Sequence, residues 1–392
     1  MKRSFSINLL YSFFALAGLT VAAFIAYFIT AFTKGYLFYG PLVLVIAAGL
    51  ALLSVISIFG LFSRRLRQIL LGSFVGLCLL TAAGYEIRQA YINSLAEVSE
   101  QEVNLNQYAP FATNTKAASL NHKASYQLMM NLPRLDGATA LYPLYSAFAQ
   151  AVYPQDNYSP FVQKEGTDFV VCTSTSEAYK RLITGEADII FAAAPSLAQT
   201  KQAKLVGREL KLTPIGREAF VFFVNKRNPV DSLTTEQIKD IYSGTLTNWK
   251  QVGGKDDPIR AFQRSEDSGS QTRLQKIMED RQLMTPPKEN VANVMSGIIS
   301  QTANYRNYKN ALGFSFMFYA TQMNASDEIK LLAIDDVPPS TESIRSGEYP
   351  FTTEFYAVTA GSTNPNIEPF LDWILSAEGQ ELVEKTGYTP VK

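Results

Sequence analysis

Histidine and cysteine are nearly missing from these 392 residues: the one histidine is His122 and the two cysteines are Cys78 and Cys172. Net charge is missing as well, because 35 Lys and Arg balance 35 Asp and Glu. Each shortage excludes something. A lone histidine in a polar stretch leaves the folded part no imidazole for a Ser-His-Asp triad, a Cys-His pair or a His-based metal site. Cys78 lies in an apolar run and Cys172 beyond it, so the two cannot pair within one chain. Charge balance gives no reason to expect nucleic acid or an acidic polymer as a partner.

Charge is also unevenly spread. Residues 9–32 and 36–62 contain none, and neither does the shorter run 69–85. A helix needs about 20 apolar residues to cross a bilayer, with a range of roughly 17–25. The three runs therefore predict three spans and a lipid bilayer as partner. The first is too long for a cleaved leader, lacks an A-x-A cleavage site and is followed by two more. Lys2, Arg3, Arg64, Arg65 and Arg67 fall on one side of such a bundle, Lys34 and Arg88 on the other. The positive-inside rule then places the N-terminus in the cytoplasm and everything after Tyr85 outside.

The chain divides accordingly into an anchor at 1–85, an intermediate stretch at 86–130 and a globular domain at 131–392. Residues 86–104 continue the third helix. Residues 105–130, rich in Asn, Gln, Ala, Ser and Thr without a period, predict a polar tether holding a solvated His122. From 131 onward, helix and strand patterns alternate. Helices are predicted at 141–153, 176–185, 234–244 and 367–387, the last with a break near Gly379. Strands are predicted at 169–173, 187–195, 218–225, 311–320 and 354–360. Such alternation indicates an α/β fold with a mainly parallel sheet.

Three segments combine hydroxyls, small residues and the start of a helix: Asp136-Gly137-Ala138-Thr139-Ala140, Thr173-Ser174-Thr175-Ser176 and Ser268-Gly269-Ser270-Gln271-Thr272. A helix N-terminus carries unpaired N–H groups and a partial positive charge, which suits an anion. Arg264, four residues before the third segment, adds a planar fork matched to tetrahedral oxyanions. Ser and Thr also cap helices that bind nothing. Three hydroxyl-rich mouths with an arginine exceed what capping requires, and each follows a β-like segment, where open α/β sheets bind ligands.

These stretches carry a resemblance. DGATALYPLYSAFA, RSEDSGSQT, IKDIYSGTLTNWKQVGG and FLDWILSAEGQELVEKTGYTPV resemble segments of the PstS-like phosphate-binding proteins, type 2 periplasmic solute-binding proteins of the phosphate ABC importer. The likeness covers 131–392. It implies a two-lobed α/β fold with crossover strands near 216–226 and 349–358, lobe 1 at 131–217 plus 350–392 and lobe 2 at 218–349. It implies oxyanion ligation by Ala138, Thr139 and Ala140, by Ser174, Thr175 and Ser176, and by Arg264, Ser268, Gly269 and Ser270. One position departs. The family commonly has an Asp in a Ser-Asp-x-Pro context after the strand that ADIIF resembles; here Ala192-Ala193-Ala194-Pro195 stands there. Asp136 and Asp267 are the candidates to supply the missing acid.

The expected function is capture of phosphate or a similar oxyanion outside the membrane and its delivery to an ABC permease, with no metal, cofactor or catalysis implied. Three spans exceed what tethering needs, so an oxyanion-sensing module signalling through a membrane partner is the alternative. A phosphatase on the same pocket would need a base or metal ligands that the sequence does not offer.

Overall fold

The computed structural model describes residues 5–34, 36–94, 103–163, 168–279, 281–286, 291–292, 298–299, 302 and 309–391. Two compact units, Met1–Leu95 and Ala96–Lys392, make up the chain.

In the first unit, α1 (Phe5–Lys34), α2 (Tyr36–Phe59) and α3 (Arg64–Ser94) contain apolar stretches of 26, 22 and 25 residues. Each is long and apolar enough to cross a membrane. Phe13, Phe14, Phe24, Leu79 and Leu80 are exposed, as expected of surfaces that lipid would cover. α3 runs past the predicted span to Ser94, as the pattern of 86–104 suggests; residues 95–102 lie outside the described residues. Lys2 and Arg3, on which the predicted orientation partly rests, also lie outside them.

The second unit is built on one mixed sheet of β1 (Leu135–Gly137), β2 (Ile189–Ala192), β3 (Lys211–Asn225), β5 (Arg260–Ala261), β8 (Ala311–Phe316), β9 (Ile329–Leu331) and β11 (Thr352–Thr359), in the order β1-β2-β11-β3-β8-β5 with β9 also paired to β3. Two two-stranded sheets pair β4 (Ser232–Leu233) with β10 (Ala333–Ile334) and β6 (Gln263–Arg264) with β7 (Val291–Ala292). The expected mainly parallel sheet is corrected here. β1–β2 and β5–β8 are parallel, but β11 runs antiparallel to both β2 and β3, and β3 antiparallel to β8 and β9. The cause is the long pair β3–β11, which crosses between the two halves of the domain in opposite directions. β3 begins seven residues before the predicted 218–225. Gly216 permits the crossing, because a Cβ there would stand 2.3 Å from the Phe355 ring, and β11 shifts register between Phe355 and Tyr356.

Two aromatic cores flank this pair. One gathers Phe220, Phe222, Tyr242, Phe314 and Phe351, with Ala140 at its edge. The other gathers Tyr142, Tyr145, Phe148, Phe191, Phe370 and Trp373. A smaller cluster lies where α5 (Thr175–Thr184) packs on β2 and β11 through Tyr179, Leu182, Ile190 and Val358. The buried clusters thus fall largely on either side of the crossover strands, which is the two-lobed arrangement that the resemblance implies.

The predicted helices at 141–153 and 234–244 appear as α4 (Tyr142–Val152) and α7 (Thr235–Ser243), the latter with a Thr234–Gln237 capping box and a left-handed Gly244 at its end. The last predicted helix is two, Ile367–Ile374 and Ala377–Thr386, breaking at Leu375–Ser376 rather than at Gly379. FVVCT forms only an isolated bridge, Leu135 to Val170.

Residues 105–130 are not a free tether. Leu105, Tyr108, Ala109, Ala117, Ala124 and Leu128 are buried, most of them in the core around α4. Phe111 N–H donates to Gln150 Oε1 at 3.0 Å and Leu128 N–H to Val152 O at 2.7 Å. Nor is His122 simply solvated: its Nε2 lies 3.1 Å from Glu378 Oε1, and Ser125 donates to the same carboxylate through N–H and Oγ. An irregular segment that wraps a surface buries apolar residues at uneven spacing, so no period marks it.

Candidate functional site

The three predicted helix mouths lie on elements that converge on the crossover pair. At the first, Ala138 follows β1 and leads into a 3₁₀ turn, Thr139–Leu141, from which α4 starts; Ala138 N–H donates to Phe191 O at 2.8 Å. Tyr388 OH donates to Ala140 O and fixes the turn from the far side. At the second, Ser174 adopts φ 80°, ψ 163°, a region costly for any side chain, and Thr175 opens α5. Thr175 is half-buried and faces inward, whereas Ser174 and Ser176 are exposed. At the third, Ser268 caps α8 (Gly269–Met278), its Oγ accepting the Gln271 N–H, so its hydroxyl hydrogen stays available to donate. Gly269 and Ser270 are buried, Ser270 to 1 % exposure.

Gly269 joins the mouths. A Cβ at this position would lie 3.1 Å from Thr175 Oγ1 and 3.6 Å from Ala193 Cβ. A residue without a side chain lets the start of α8 come this close to the start of α5 without crowding Thr175. Ala138, Ala140, Thr175 and Ala193 also line one small cavity against the crossover strands, with Glu218 on β3 and Thr353 on β11. The structure therefore brings Ala138, Ala140 and Thr175 around one space and sets Gly269 against its Thr175 wall.

Arg264 ends β6 (Gln263–Arg264) and is held by Gln271, whose Oε1 accepts its backbone N–H at 2.9 Å; its Nη1 reaches Ser270 Oγ at 3.4 Å. Burial pulls its guanidinium down to about 10, so it stays protonated at neutral pH and brings a full positive charge to the third mouth. Cys172 Sγ sits 4.0 Å from Thr139 Oγ1, and burial pushes its thiol up to about 12, which leaves it a neutral neighbour.

Both acids expected to replace the missing carboxylate are engaged by other protein groups. Asp136 is fully buried, with Oδ1 accepting Gly137 N–H at 2.7 Å and Thr173 N–H at 2.9 Å, and Oδ2 accepting Thr173 Oγ1 at 2.8 Å beside Arg181 Nε at 2.9 Å. Burial still pushes it up to about 6. Its oxygens are occupied in bracing the first two mouths. Asp267 Oδ1 accepts Ser196 Oγ at 2.9 Å and its carbonyl accepts Gln199 Nε2 at 3.4 Å, a clasp between α8's approach and α6 (Leu197–Leu205). The carboxyl that does line the cavity is Glu218. Sequence reading placed it in a strand and had no signal for which strand face it occupies. Arg273, also missed, lies on α8 and donates to Thr352 O of β11 at 3.3 Å.

The profile of the PBP superfamily domain matches residues 113–378. The chain belongs to that superfamily. Within it, the chain is PstS-like. It is 26% identical over 287 residues to the phosphate-binding protein PstS of Bacillus subtilis, covering 71% of this chain and 85% of that one. The PstS of Staphylococcus saprophyticus is 25% identical over 241 residues, covering 57% and 72%. Among solved structures, a phosphate ABC transporter substrate-binding protein with bound phosphate from Clostridium perfringens matches with a TM-score of 0.52 and 26% identity. That match covers 66% of this chain and 99% of that one. The superfamily match begins at 113, within the segment that the sequence pattern marks as a tether.

Proposed function

We propose that this protein is a membrane-anchored extracytoplasmic binding protein that captures phosphate, or a similar tetrahedral oxyanion, between its two lobes and delivers it to an ABC permease in the same membrane. The observation that carries this reading is the close approach of the two helix starts: a Cβ on Gly269 at the start of α8 would lie only 3.1 Å from Thr175 Oγ1 at the start of α5. Ala138, Thr139 and Ala140, Ser174, Thr175 and Ser176, and Arg264, Ser268, Gly269 and Ser270 are the proposed ligating set, with backbone N–H groups, hydroxyls and one guanidinium as donors. An anion held this way takes its affinity from many donors in a site with little water rather than from a metal. The lobes divide at the crossover strands, 131–217 plus 350–392 against 218–349, and anion binding bridges them and closes the cleft. The relatives named phosphate-binding proteins agree in ligand class.

Three apolar helices support attachment to the bilayer, with the N-terminus cytoplasmic and the binding domain outside. The same three helices favour a second reading, an oxyanion sensor whose closure is passed to a membrane partner. Calorimetric titration of the full-length protein in detergent with phosphate, arsenate, sulfate and molybdate tests the binding claim. Saturable one-to-one binding of phosphate is expected, and no binding of any of the four would end it. Co-purification with a permease, rather than with a kinase, separates delivery from sensing.

A further inference from the structure

Glu218 lies midway along the longest strand of the domain, where β3 crosses from one lobe to the other and pairs in register with Thr353 of β11. It is 5% exposed. Its Oε1 accepts the Phe318 N–H at 2.7 Å, and this is its one hydrogen bond among the described residues. The side chain lines the cavity with Ala138, Thr175 and Ala193. A carboxyl in such a place is costly when ionised, because one backbone donor does not replace its lost hydration. No salt bridge offsets the cost: among the described residues, none of the other side chains lining the cavity is charged. The titratable side chain set against it is Tyr388, whose hydroxyl is already donated to Ala140 O.

Resting on the oxyanion reading above, we infer that Glu218 is the proton-bearing acid of this pocket: it shares one proton with an oxygen of the bound anion and so sets which anions the cleft accepts. It does this from the crossover strand, replacing the carboxylate that Ala193 lacks. Burial pushes its carboxyl up to about 8, so it is protonated at neutral pH and donates. A protonated carboxyl can donate to a fully deprotonated anion such as sulfate as well as to phosphate. Above about pH 8 the carboxylate can only accept, and it then admits anions that carry a proton and repels those that do not. The pocket is thereby permissive at neutral pH and phosphate-selective in alkali. The other titratable groups around it keep their states between pH 7 and 9: Asp136 at about 6 is already ionised, Arg264 at about 10 and Cys172 at about 12 stay protonated, and Tyr388 is held well above the usual phenol range.

Sulfate is the decisive probe, since it carries no proton to lose in this range. The full-length protein in detergent is titrated with sulfate at intervals from pH 6.5 to 9, in two buffers of different ionisation heat, alongside Glu218→Gln. Affinity of the native protein should be flat below about pH 7 and fall about tenfold per pH unit above about 8, with uptake of close to one proton per sulfate at pH 9. Glu218→Gln keeps an N–H donor but no titrating proton, so its profile should be flat and its proton uptake nil. Should the variant not fold, proton uptake by the native protein decides alone. Sulfate binding with no linked proton at pH 9, or a native sulfate profile identical to that of Glu218→Gln, overturns this inference and leaves the binding function standing. Failure of the native protein to bind any oxyanion at any pH removes both.

Discussion

At the scale of single residues, Gly269 and Ala193 decide how close the lobes come and what chemistry meets the ligand. Gly269 has no side chain and stands against Thr175; Ala193 leaves a methyl group, 3.6 Å from where a Gly269 Cβ would lie, at the position where the resemblance leads one to expect an acid. Sites that match one buried proton can discriminate by roughly 10⁴, because a mismatched ligand leaves a polar group unpaired. With alanine at 193 and a protonated Glu218 nearby, discrimination between phosphate and sulfate at pH 7 should fall far short of that. Ala193→Asp adds an ionised acceptor and should raise phosphate-over-sulfate selectivity at pH 7 by tenfold or more, read as the ratio of two dissociation constants. A native protein that already ignores sulfate at pH 7 contradicts this account of the pocket.

At the scale of elements, the wrapping segment 105–130 is held in part by one carboxylate. Glu378 accepts Ser125 N–H at 3.0 Å, Ser125 Oγ at 2.7 Å and Trp373 Nε1 at 2.7 Å, and faces His122. The hydrogen bonds from Ser125 and Trp373 hold it down at about 2, below the ordinary 4.5. A depressed carboxylate adds stability that is present above its unfolded value and lost as pH falls through the folded one. Native stability should therefore drop between about pH 4.5 and 2. Glu378→Gln should be less stable at pH 7 and show a shallower drop over that window, measured by urea unfolding at pH 7 and pH 3. Equal slopes for the two proteins would show that the carboxylate does not pin the segment.

The same elements show what was legible in the sequence. The candidate helix mouths were visible because hydroxyls and glycine cluster at helix starts, a local pattern. α4, α5 and α7 were visible because apolar residues recur with the helical period. The pinning of 105–130 was not, since its partner Glu378 lies some 250 residues away and an irregular coil leaves no period. The antiparallel crossing of β3 and β11 was hidden for a related reason: strand pattern reports burial, not the direction of the neighbour. Glu218 sits among apolar residues of a strand, and only the three-dimensional register shows that it turns toward the cavity.

In the molecule as a whole, three bilayer-length helices precede one two-lobed domain. Arg64, Arg65 and Arg67 open α3, and together with Lys2 and Arg3 they set the predicted orientation. Reporter fusions at Arg64 and at the C-terminus should give opposite signals, cytoplasmic and extracytoplasmic respectively. Matching signals would eliminate the three-span topology, and a cytoplasmic signal at both would place the domain on the wrong side for capture.

The central claim is that the two lobes meet on an oxyanion held in part by Arg264. Its most direct test is phosphate titration of the full-length protein and of Arg264→Ala by calorimetry, with thermal unfolding of both recorded in the absence of phosphate. Hydrogen bonds from a charged donor contribute roughly 1.5–3 kcal/mol each, and about 1.4 kcal/mol corresponds to one decade in affinity. One-to-one binding by the native protein, a loss of tenfold or much more in Arg264→Ala, and little change in stability without ligand are expected. An unaltered dissociation constant in Arg264→Ala would contradict the claim.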